Sequence, residues 1–160
     1  MATKTTALTD PELDAWRGLL RAHARATRLL DAELTAERAL PLGSYEVLLH
    51  LAAAPGRRMR MTDLANSVLL SRSGVTRLVD RLERDGLLRR ESCPSDLRGT
   101  NAVLTEDGLA RLRAAATVHL RGVREHVTGR FDEDELRTLA ALLGRIGDAG
   151  DELPRDACGG

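Results

Sequence analysis

Hydrophobic positions recur every three or four residues over most of the chain, which is the spacing of one face of an α-helix. Between residues 13 and 34 this pattern predicts a long helix, started by the Asp-Pro-Glu sequence at 10–12 and ended by Pro41. A second helix is predicted to open at residues 43–44 and to stop at the Pro-Gly pair 55–56. The first third of the chain is therefore expected to be helical.

The middle of the chain predicts shorter elements. A strand is expected at 59–61, followed by a helix that Thr62 caps and that runs to about Leu69. The next helix is predicted at 71–85, with Ser71 as its cap. Its apolar positions follow the i, i+3, i+4, i+7 rule and form one buried face, made of Val75, Leu78, Val79 and Leu82.

The opposite face of the predicted helix 71–85 is polar and rich in arginine. At 100° per residue this face and its flanks carry Ser73, Thr76, Arg77, Asp80, Arg81 and Arg84. Asp80 is expected to form an ion pair with Arg77 or Arg84 rather than to contact a ligand. The helix therefore has a core-facing side and a solvent-facing side that can bind a partner.

Two strands and two helices complete the predicted order. Strands are expected at 87–93 and 100–104, on either side of a turn at 94–96. Helices are expected to begin at Thr105 and at Asp132. A helix-turn-helix followed by a two-stranded ribbon is the pattern of a winged helix-turn-helix lobe.

The predicted architecture is a single domain of 160 residues, mainly α with a small β-wing. The winged lobe occupies 44–104, and long helices at 10–40 and 105–148 flank it, followed by a flexible tail at 149–160. The apolar stripes of the long helices exceed what so small a domain covers alone. Pairing of two chains about a two-fold axis, with these as dimerisation helices, is therefore expected.

Composition agrees with a helical domain that stays in the cytoplasm. The chain has 29 Leu and 22 Ala against 8 Val and 1 Ile, a bias that favours helices over strands. No apolar run approaches the ~20 residues of a membrane span, and the first ten residues lack the apolar core of a secretory signal. Cys93 and Cys158 lie far apart, so neither a disulfide framework nor a zinc site is predicted.

The net charge is zero, but the charge is distributed unevenly. Residues 57–98 contain ten Arg and six acidic residues, a local net charge of +4 that the remainder of the chain balances. Such a basic middle favours a polyanionic partner, although a solvated Arg-rich surface would give the same count. Three aromatic residues are too few for a platform that stacks unpaired bases, so modules of that kind are not expected.

Two segments resemble the MarR (multiple antibiotic resistance regulator) family of winged helix-turn-helix regulators. The segment LSRSGVTRLVDRLERDGLLRR at 70–90 resembles the recognition helix and first wing strand of that family. Asp-Leu-Arg-Gly at 96–99, followed by Val-Leu-Thr-Glu-Asp-Gly at 103–108, resembles its wing motif. The resemblance extends over residues 10–148 and implies a homodimeric, DNA-binding transcriptional regulator.

The resemblance implies that the recognition helix 71–85 enters the major groove and that the wing 94–100 reaches the minor groove. The residue chemistry agrees, because a helix N-terminus with serine hydroxyls suits a phosphate and Arg77 can bond guanine O6 and N7. Arg98 is expected to insert into the narrow minor groove, with Asp96 orienting it. The full set of expected DNA contacts is Ser71, Arg72, Ser73, Thr76, Arg77, Arg81, Arg84, Asp96 and Arg98.

The resemblance also implies a small-molecule effector that releases a repressor from a pseudo-palindromic operator. The pocket of the family lies between the dimerisation helices and the DNA-binding lobe, and Trp16, His23 and Tyr45 are candidates to line it. Core packing is the competing interpretation of all three side chains. Effector binding would change the spacing of the recognition helices relative to half-sites ~34 Å apart. No cofactor is expected.

No catalytic constellation is present in the sequence, so the chain is not expected to be an enzyme. His119 and His126 share a predicted helix face near Glu125, but seven residues are too far apart for one metal ion, so no metal site is expected. Cys93, near two arginines, is either structural or a redox-sensitive thiol. A winged-helix protein-interaction module and a thiol- or metal-responsive sensor are therefore the alternatives to a DNA-binding regulator.

Overall fold

The computed structural model describes residues 7–68, 72–93 and 96–146, and the predicted tail 149–160 lies outside them. Helices alternate with short strands in this part of the chain, in the order that the hydrophobic pattern predicts. The elements are α1 (Asp10–Arg38), α2 (Leu42–Ala53), β1 (Arg58–Arg60), α3 (Met61–Ser67), α4 (Arg72–Arg84), β2 (Leu88–Cys93), β3 (Asp96–Leu104), α5 (Glu106–His126) and α6 (Glu133–Gly144). The prediction of a mainly helical winged helix-turn-helix chain is confirmed.

Two helix starts differ from the prediction, one by one residue and the other by two. Thr9, not Asp10, precedes α1, and both its backbone N–H and its hydroxyl donate to the Glu12 carboxylate, at 2.7 and 2.8 Å. These hydrogen bonds stabilise the ionised carboxylate and lower the pKa of Glu12. Arg60, not Thr62, precedes α3, because the helix begins directly where β1 ends.

The three strands form one antiparallel sheet in which β3 lies between β1 and β2. Arg58 of β1 lies opposite Val103, and Leu88 of β2 lies opposite Leu104. The returning strand is longer than predicted: Asp96 belongs to β3 and pairs with Cys93 instead of lying in the turn. The turn-forming composition there does not reveal how far the ladder of backbone hydrogen bonds extends.

The core lies where the winged lobe meets the second half of α1 and the first two thirds of α5. The predicted apolar face of α4 is buried at Val75, Val79 and Leu82, while Leu78 is half-buried. Leu34 of α1 and Leu112 of α5 are both fully buried. All of them belong to one core cluster, in which α4 packs against α2, α3 and β2 and leaves its other face in solvent.

The close approach of α5 to the wing requires a glycine. Thr105 precedes α5 and accepts a hydrogen bond from the Gly108 N–H at 3.0 Å, while its hydroxyl donates to the Gly86 carbonyl at 2.7 Å. A Cβ atom at Gly108 would lie 1.9 Å from the Leu87 carbonyl oxygen. Gly108 therefore sets the distance between the first turn of α5 and the start of β2.

Large apolar side chains remain exposed on the long helices. Trp16 on α1 is 53% exposed and Ile146, after α6, is 71% exposed, and α6 has no buried residue. The other members of this set, which we call the exposed apolar surface, are Leu8, Leu20, Leu120, Phe131, Leu142 and Leu143. Isolated apolar side chains are ordinary at a surface, but several on adjoining helices are typical of an interface.

Candidate nucleic-acid interface

The solvent-facing side of α4 carries polar and basic side chains together. Ser73, Thr76, Arg77 and Arg84 are exposed, on the side opposite the buried Val79. Hydroxyl groups near the start of a helix and guanidinium groups one to three turns further along suit phosphate and base edges. Of the other residues expected at this end, Ser71 lies outside the described residues, and Arg72 begins α4.

Arg77 differs from Arg84 and Arg90 in having no partner among the described residues. Within the described part of the chain it makes no ion pair, whereas the Arg84 Nε donates to the Asp80 backbone carbonyl at 3.3 Å. Arg81 is exposed as well, but it lines a cavity on the side of α4 that faces α1 and α2. Arg77 is therefore available to bond an external acceptor from the solvent-facing side of α4.

Asp80 pairs with Arg90 of the wing, and not with Arg77 or Arg84 as the sequence predicts. The Arg90 guanidinium lies 2.6 Å from the Asp80 carboxylate and 2.5 Å from that of Glu83, and its backbone N–H donates to Glu83 at 2.9 Å. Burial alone would lower the pKa of Arg90, but the bonds to Asp80 and Glu83 outweigh it and raise that pKa. This cluster ties β2 to α4, which holds wing and helix in one orientation.

Other arginines of the basic segment are also neutralised within the chain. Arg57 pairs with Glu106 at 2.6 Å, and Arg89 pairs with Glu91 at 2.7 Å. Arg89 is exposed while Arg90 is half-buried, as expected for side chains that alternate along a strand. Internal ion pairs thus neutralise part of the positive charge of this segment. A count of charged residues alone therefore overstates the positive charge that is available to a partner.

A groove between α3, α4 and the wing adjoins Thr76. It has a volume of about 390 Å³, and its polar lining includes Arg60, Thr62, Thr76, Arg90 and Thr100. The sequence pattern did not indicate Arg60 or Thr62 as possible DNA contacts, since neither belongs to the predicted recognition helix. Their position at the start of α3 was the available signal, because the first helix of a helix-turn-helix crosses the DNA backbone. Asp96 and Arg98 belong to β3.

Comparison with known proteins identifies the family. The family model for MarR matches residues 40–99, which include α2, α3, α4 and the wing. The crystal structure of Sco3205, a MarR family transcriptional regulator from Streptomyces coelicolor in complex with DNA, is 34% identical, with a TM-score of 0.82 over 96% of this chain and 98% of that one. AbsC from the same organism is 39% identical, with a TM-score of 0.79 over 89% and 95%. The chain belongs to the MarR family of transcriptional regulators.

Curated MarR-type relatives match over shorter segments. The regulator PecS of Dickeya dadantii is 34% identical over 85 residues, which is 53% of this chain and 51% of PecS. The repressor YetL of Bacillus subtilis is 30% identical over 69% of this chain and 66% of YetL. This chain thus spans between half and two thirds of these two relatives. Membership in a family of transcriptional regulators agrees with the prediction that the chain is not an enzyme. None of the described helices is long and apolar enough to span a membrane.

The three candidate effector residues do not share one pocket in this MarR fold. Tyr45 is 3% exposed and packs in the core of the lobe. His23 lines a cavity of about 540 Å³ between α1, the end of α5 and α6, whereas Trp16 lies seven residues earlier on the exposed apolar surface. The sequence placed them on apolar stripes, but it did not reveal which part of each stripe the chain itself covers.

Tyr45 instead stacks on a histidine of α5. The ring centroids of Tyr45 and His119 are 4.5 Å apart, with 30° between the ring planes. Burial lowers the pKa of His119, because the charged imidazolium loses hydration there. The neutral ring is therefore the form that fits this contact between α2 and α5.

We expect the protein to lose stability as the pH falls below about 6.5. Because the pKa of His119 is lowered in the folded state, the unfolded chain binds this proton first, and the free energy of unfolding decreases with falling pH. His119→Phe, which keeps the stack on Tyr45, should flatten the profile between about pH 7 and 5 in urea titrations. Glu46, whose pKa burial raises, contributes the opposite slope in both proteins. An equally steep profile in the variant would contradict the prediction.

His126 faces α1 and not His119. Its Nε2 lies 2.5 Å from the Glu33 carboxylate, and one ligand atom each of Glu33, Glu125 and His126 lie within 4.8 Å of one another. The His126–Glu33 contact by itself joins α1 to α5, close to Gly122, where a Cβ atom would lie 2.6 Å from the Glu33 carboxylate. We therefore interpret this cluster as a contact between helices.

Proposed function

We propose that the protein is a cytoplasmic, homodimeric repressor that binds a pseudo-palindromic DNA operator. The observation that carries this proposal is the guanidinium of Arg77, which is exposed on the solvent-facing side of α4 and makes no ion pair with a described residue, whereas the nearby Arg90 is held by Asp80 and Glu83. The DNA complex of Sco3205, at 34% identity over nearly the whole chain, supports the same partner. YetL, which is named a repressor, supports repression as the direction of control.

In this proposal α4 lies in the major groove and the wing reaches the minor groove. Arg77 bonds guanine O6 and N7, and Thr76 contacts a thymine methyl group or a phosphate. Arg84 and Arg81 meet phosphates further from the helix N-terminus. The other proposed contacts are Ser71, Arg72 and Ser73 near the N-terminus of the recognition helix and Asp96 and Arg98 in the wing. The Arg90 cluster keeps α4 and the wing at a fixed relative position, so both grooves are met at once.

The proposed dimer uses the exposed apolar surface of α1, α5 and α6. A two-fold axis would bring this surface against its own copy and place two α4 helices on half-sites about 34 Å apart. A small-molecule effector that favours another spacing of these helices would release the repressor. Dimer formation thus sets the distance between the two recognition helices, and effector binding changes the same distance.

We expect Arg77→Ala to weaken binding to the operator by roughly 5- to 150-fold while changing binding to unrelated DNA much less. The measurement is fluorescence anisotropy with DNA from upstream of the coding region, at several salt concentrations. Arg137→Ala, which removes the same charge from an exposed ion pair on α6, is the control and should bind like the wild type.

Two outcomes would contradict the proposal. Equal loss on operator and unrelated DNA would show that Arg77 does not read a base. Weak binding with a flat salt response would mean that few phosphates are neutralised, which favours a winged-helix protein-interaction module.

A further inference from the structure

The contact between Glu33 of α1 and His126 of α5 also brings a set of metal donors together. Glu125 contributes a third donor, so that two carboxylate oxygens and one imidazole nitrogen lie within 4.8 Å of one another. Glu33 and His126 are 93 positions apart in the sequence, so no local pattern could reveal the set. Imidazole nitrogen and carboxylate oxygen are both typical zinc ligands, and three protein ligands leave a fourth position for water.

Gly122 allows the two helices to approach closely enough for this arrangement. A Cβ atom at Gly122 would lie 2.6 Å from the Glu33 Oε2 and 2.8 Å from the Leu30 Cδ2, both on α1. Glu125 and His126 follow Gly122 by three and four residues, so all three lie on one face of α5. Both donors of α5 are therefore placed on the side of the helix that meets Glu33.

The Glu33 carboxylate is only partly satisfied by its contact with His126. One oxygen, Oε1, lies 2.5 Å from the His126 Nε2. The other, Oε2, is buried and has no hydrogen-bond partner among the described residues. Buried polar atoms are nearly always paired, because an unmade hydrogen bond to a buried group is costly. A cation bound to this carboxylate would compensate the negative charge that a single hydrogen bond leaves.

The surroundings of the three donors are negatively charged. Arg121 is the nearby cation whose charge acts on them, but its guanidinium donates to Glu37. That bond is the main cause of the raised pKa of Arg121, and the charges of Glu33 and Glu125 raise it further. Three carboxylates thus surround one guanidinium, which leaves a negative potential that attracts a divalent cation. Glu125 is exposed, so an ion can reach the donors from solvent.

We propose that Glu33, Glu125 and His126 bind one Zn²⁺ ion in each chain, with water as the fourth ligand. Donors around a tetrahedral zinc ion lie roughly 3.3 Å apart, since each bond to the ion is about 2.0–2.2 Å long. Rotation of the exposed Glu125 side chain brings its oxygen into this range. The ion takes the place of the hydrogen bond between Glu33 and His126, and it joins α1 to α5 through bonds to both residues.

The proposed zinc site lies next to the apolar groove between α1, the end of α5 and α6. His126 belongs to both, because it also lines this groove of about 540 Å³. Zinc binding should therefore stabilise the packing of α1 on α5 that forms one wall of the groove. All three protein ligands come from a single chain, so the site depends neither on the proposed dimer nor on DNA binding.

The first test is calorimetric titration of the full chain with Zn²⁺, after a chelator has been used and removed by dialysis. We expect one saturable site per chain, which excess Mg²⁺ does not block because Mg²⁺ prefers six oxygen ligands. Glu125→Gln removes one exposed donor and should weaken zinc binding at least tenfold. Asp14→Asn, which removes the same charge near the start of α1, is the control and should bind zinc like the wild type. The absence of saturable binding, or equal loss in both variants, would overturn the proposal.

Cysteine thiolates are also zinc ligands, and the chain contains two, Cys93 and Cys158. The double variant Cys93→Ser, Cys158→Ser therefore separates the proposed site from zinc bound by thiols. Because neither cysteine belongs to the cluster, we expect this variant to bind zinc with the affinity of the wild type. Loss of the zinc site in the double variant would place the ion on the thiols and would contradict the proposal.

The second test measures thermal unfolding with and without zinc. A zinc concentration one hundredfold above Kd should raise the wild-type Tm by about 5–10 °C. Glu125→Gln should have an unchanged Tm without zinc, because Glu125 is exposed, and should gain much less when zinc is added. His126→Gln retains an amide that can donate to Glu33 but lacks the imidazole ligand, so its Tm should also respond little to zinc. An equal rise of Tm in the wild type and in Glu125→Gln would show that zinc binds elsewhere.

Discussion

Gly108→Ala is expected to lower the free energy of unfolding by more than about 3 kcal/mol, enough to unfold a domain of this size at moderate temperature. The new Cβ atom would lie 1.9 Å from the Leu87 carbonyl oxygen and 2.7 Å from the Leu104 Cδ1. The Leu104 side chain could rotate away from the new methyl group. The Leu87 carbonyl cannot, because it belongs to the backbone and already accepts a hydrogen bond from the Thr105 N–H at 3.2 Å. Relief therefore requires α5 to move off the wing, which opens the core.

The measurement is urea denaturation followed by circular dichroism, with Gly18→Ala as the matched control. Gly18 lies within α1, and a Cβ atom there has no heavy atom within 4 Å. The same substitution should therefore stabilise the protein by about 0.5–1 kcal/mol, since alanine favours the helix. If Gly108→Ala unfolds at the same urea concentration as the wild type, α5 does not pack on the wing as closely as the structure has it.

The sequence could predict the helices and strands of this fold but not how closely they pack, and Gly108 illustrates the difference. Local patterns give the elements: the spacing of Val75, Val79 and Leu82 predicts both α4 and its buried face, and the structure confirms them. Gly108 was visible only as part of a motif at a helix start. Its contact with Leu87 depends on how two elements pack, which no local pattern encodes.

The candidate site shows the same division. That Arg77 faces solvent follows from helical periodicity alone. That Asp80 pairs with Arg90 requires knowing that β2 packs against α4, and the sequence offered the nearer Arg84 as a partner instead. That Ser44 Oγ and Arg111 Nε are buried without a hydrogen bond to a described residue could not be predicted, because it depends on how several helices pack together.

Leu143→Glu is expected to yield a folded monomer that binds the operator at least 100-fold more weakly than the wild type. Leu143 is 42% exposed on α6, so the carboxylate stays hydrated in a single chain, and circular dichroism should be unchanged. In the proposed dimer the same carboxylate would be buried against apolar side chains. The free energy of removing this charge from water would exceed what the interface contributes. Light scattering would give the mass, and anisotropy would give the operator affinity.

The loss of affinity should exceed that of any single contact, because dissociation removes one of two half-sites. Two linked recognition helices bind 10²- to 10⁴-fold more tightly than one, roughly, since the second binds from within the complex. Thr138→Glu places the same charge about 140° around α6 from Leu143 and should remain dimeric and bind normally. A Leu143→Glu dimer that still binds the operator would place the two-fold interface elsewhere. The exposed apolar surface would then need another partner, because none of the residues of helix α6 is fully buried in the described part of the chain.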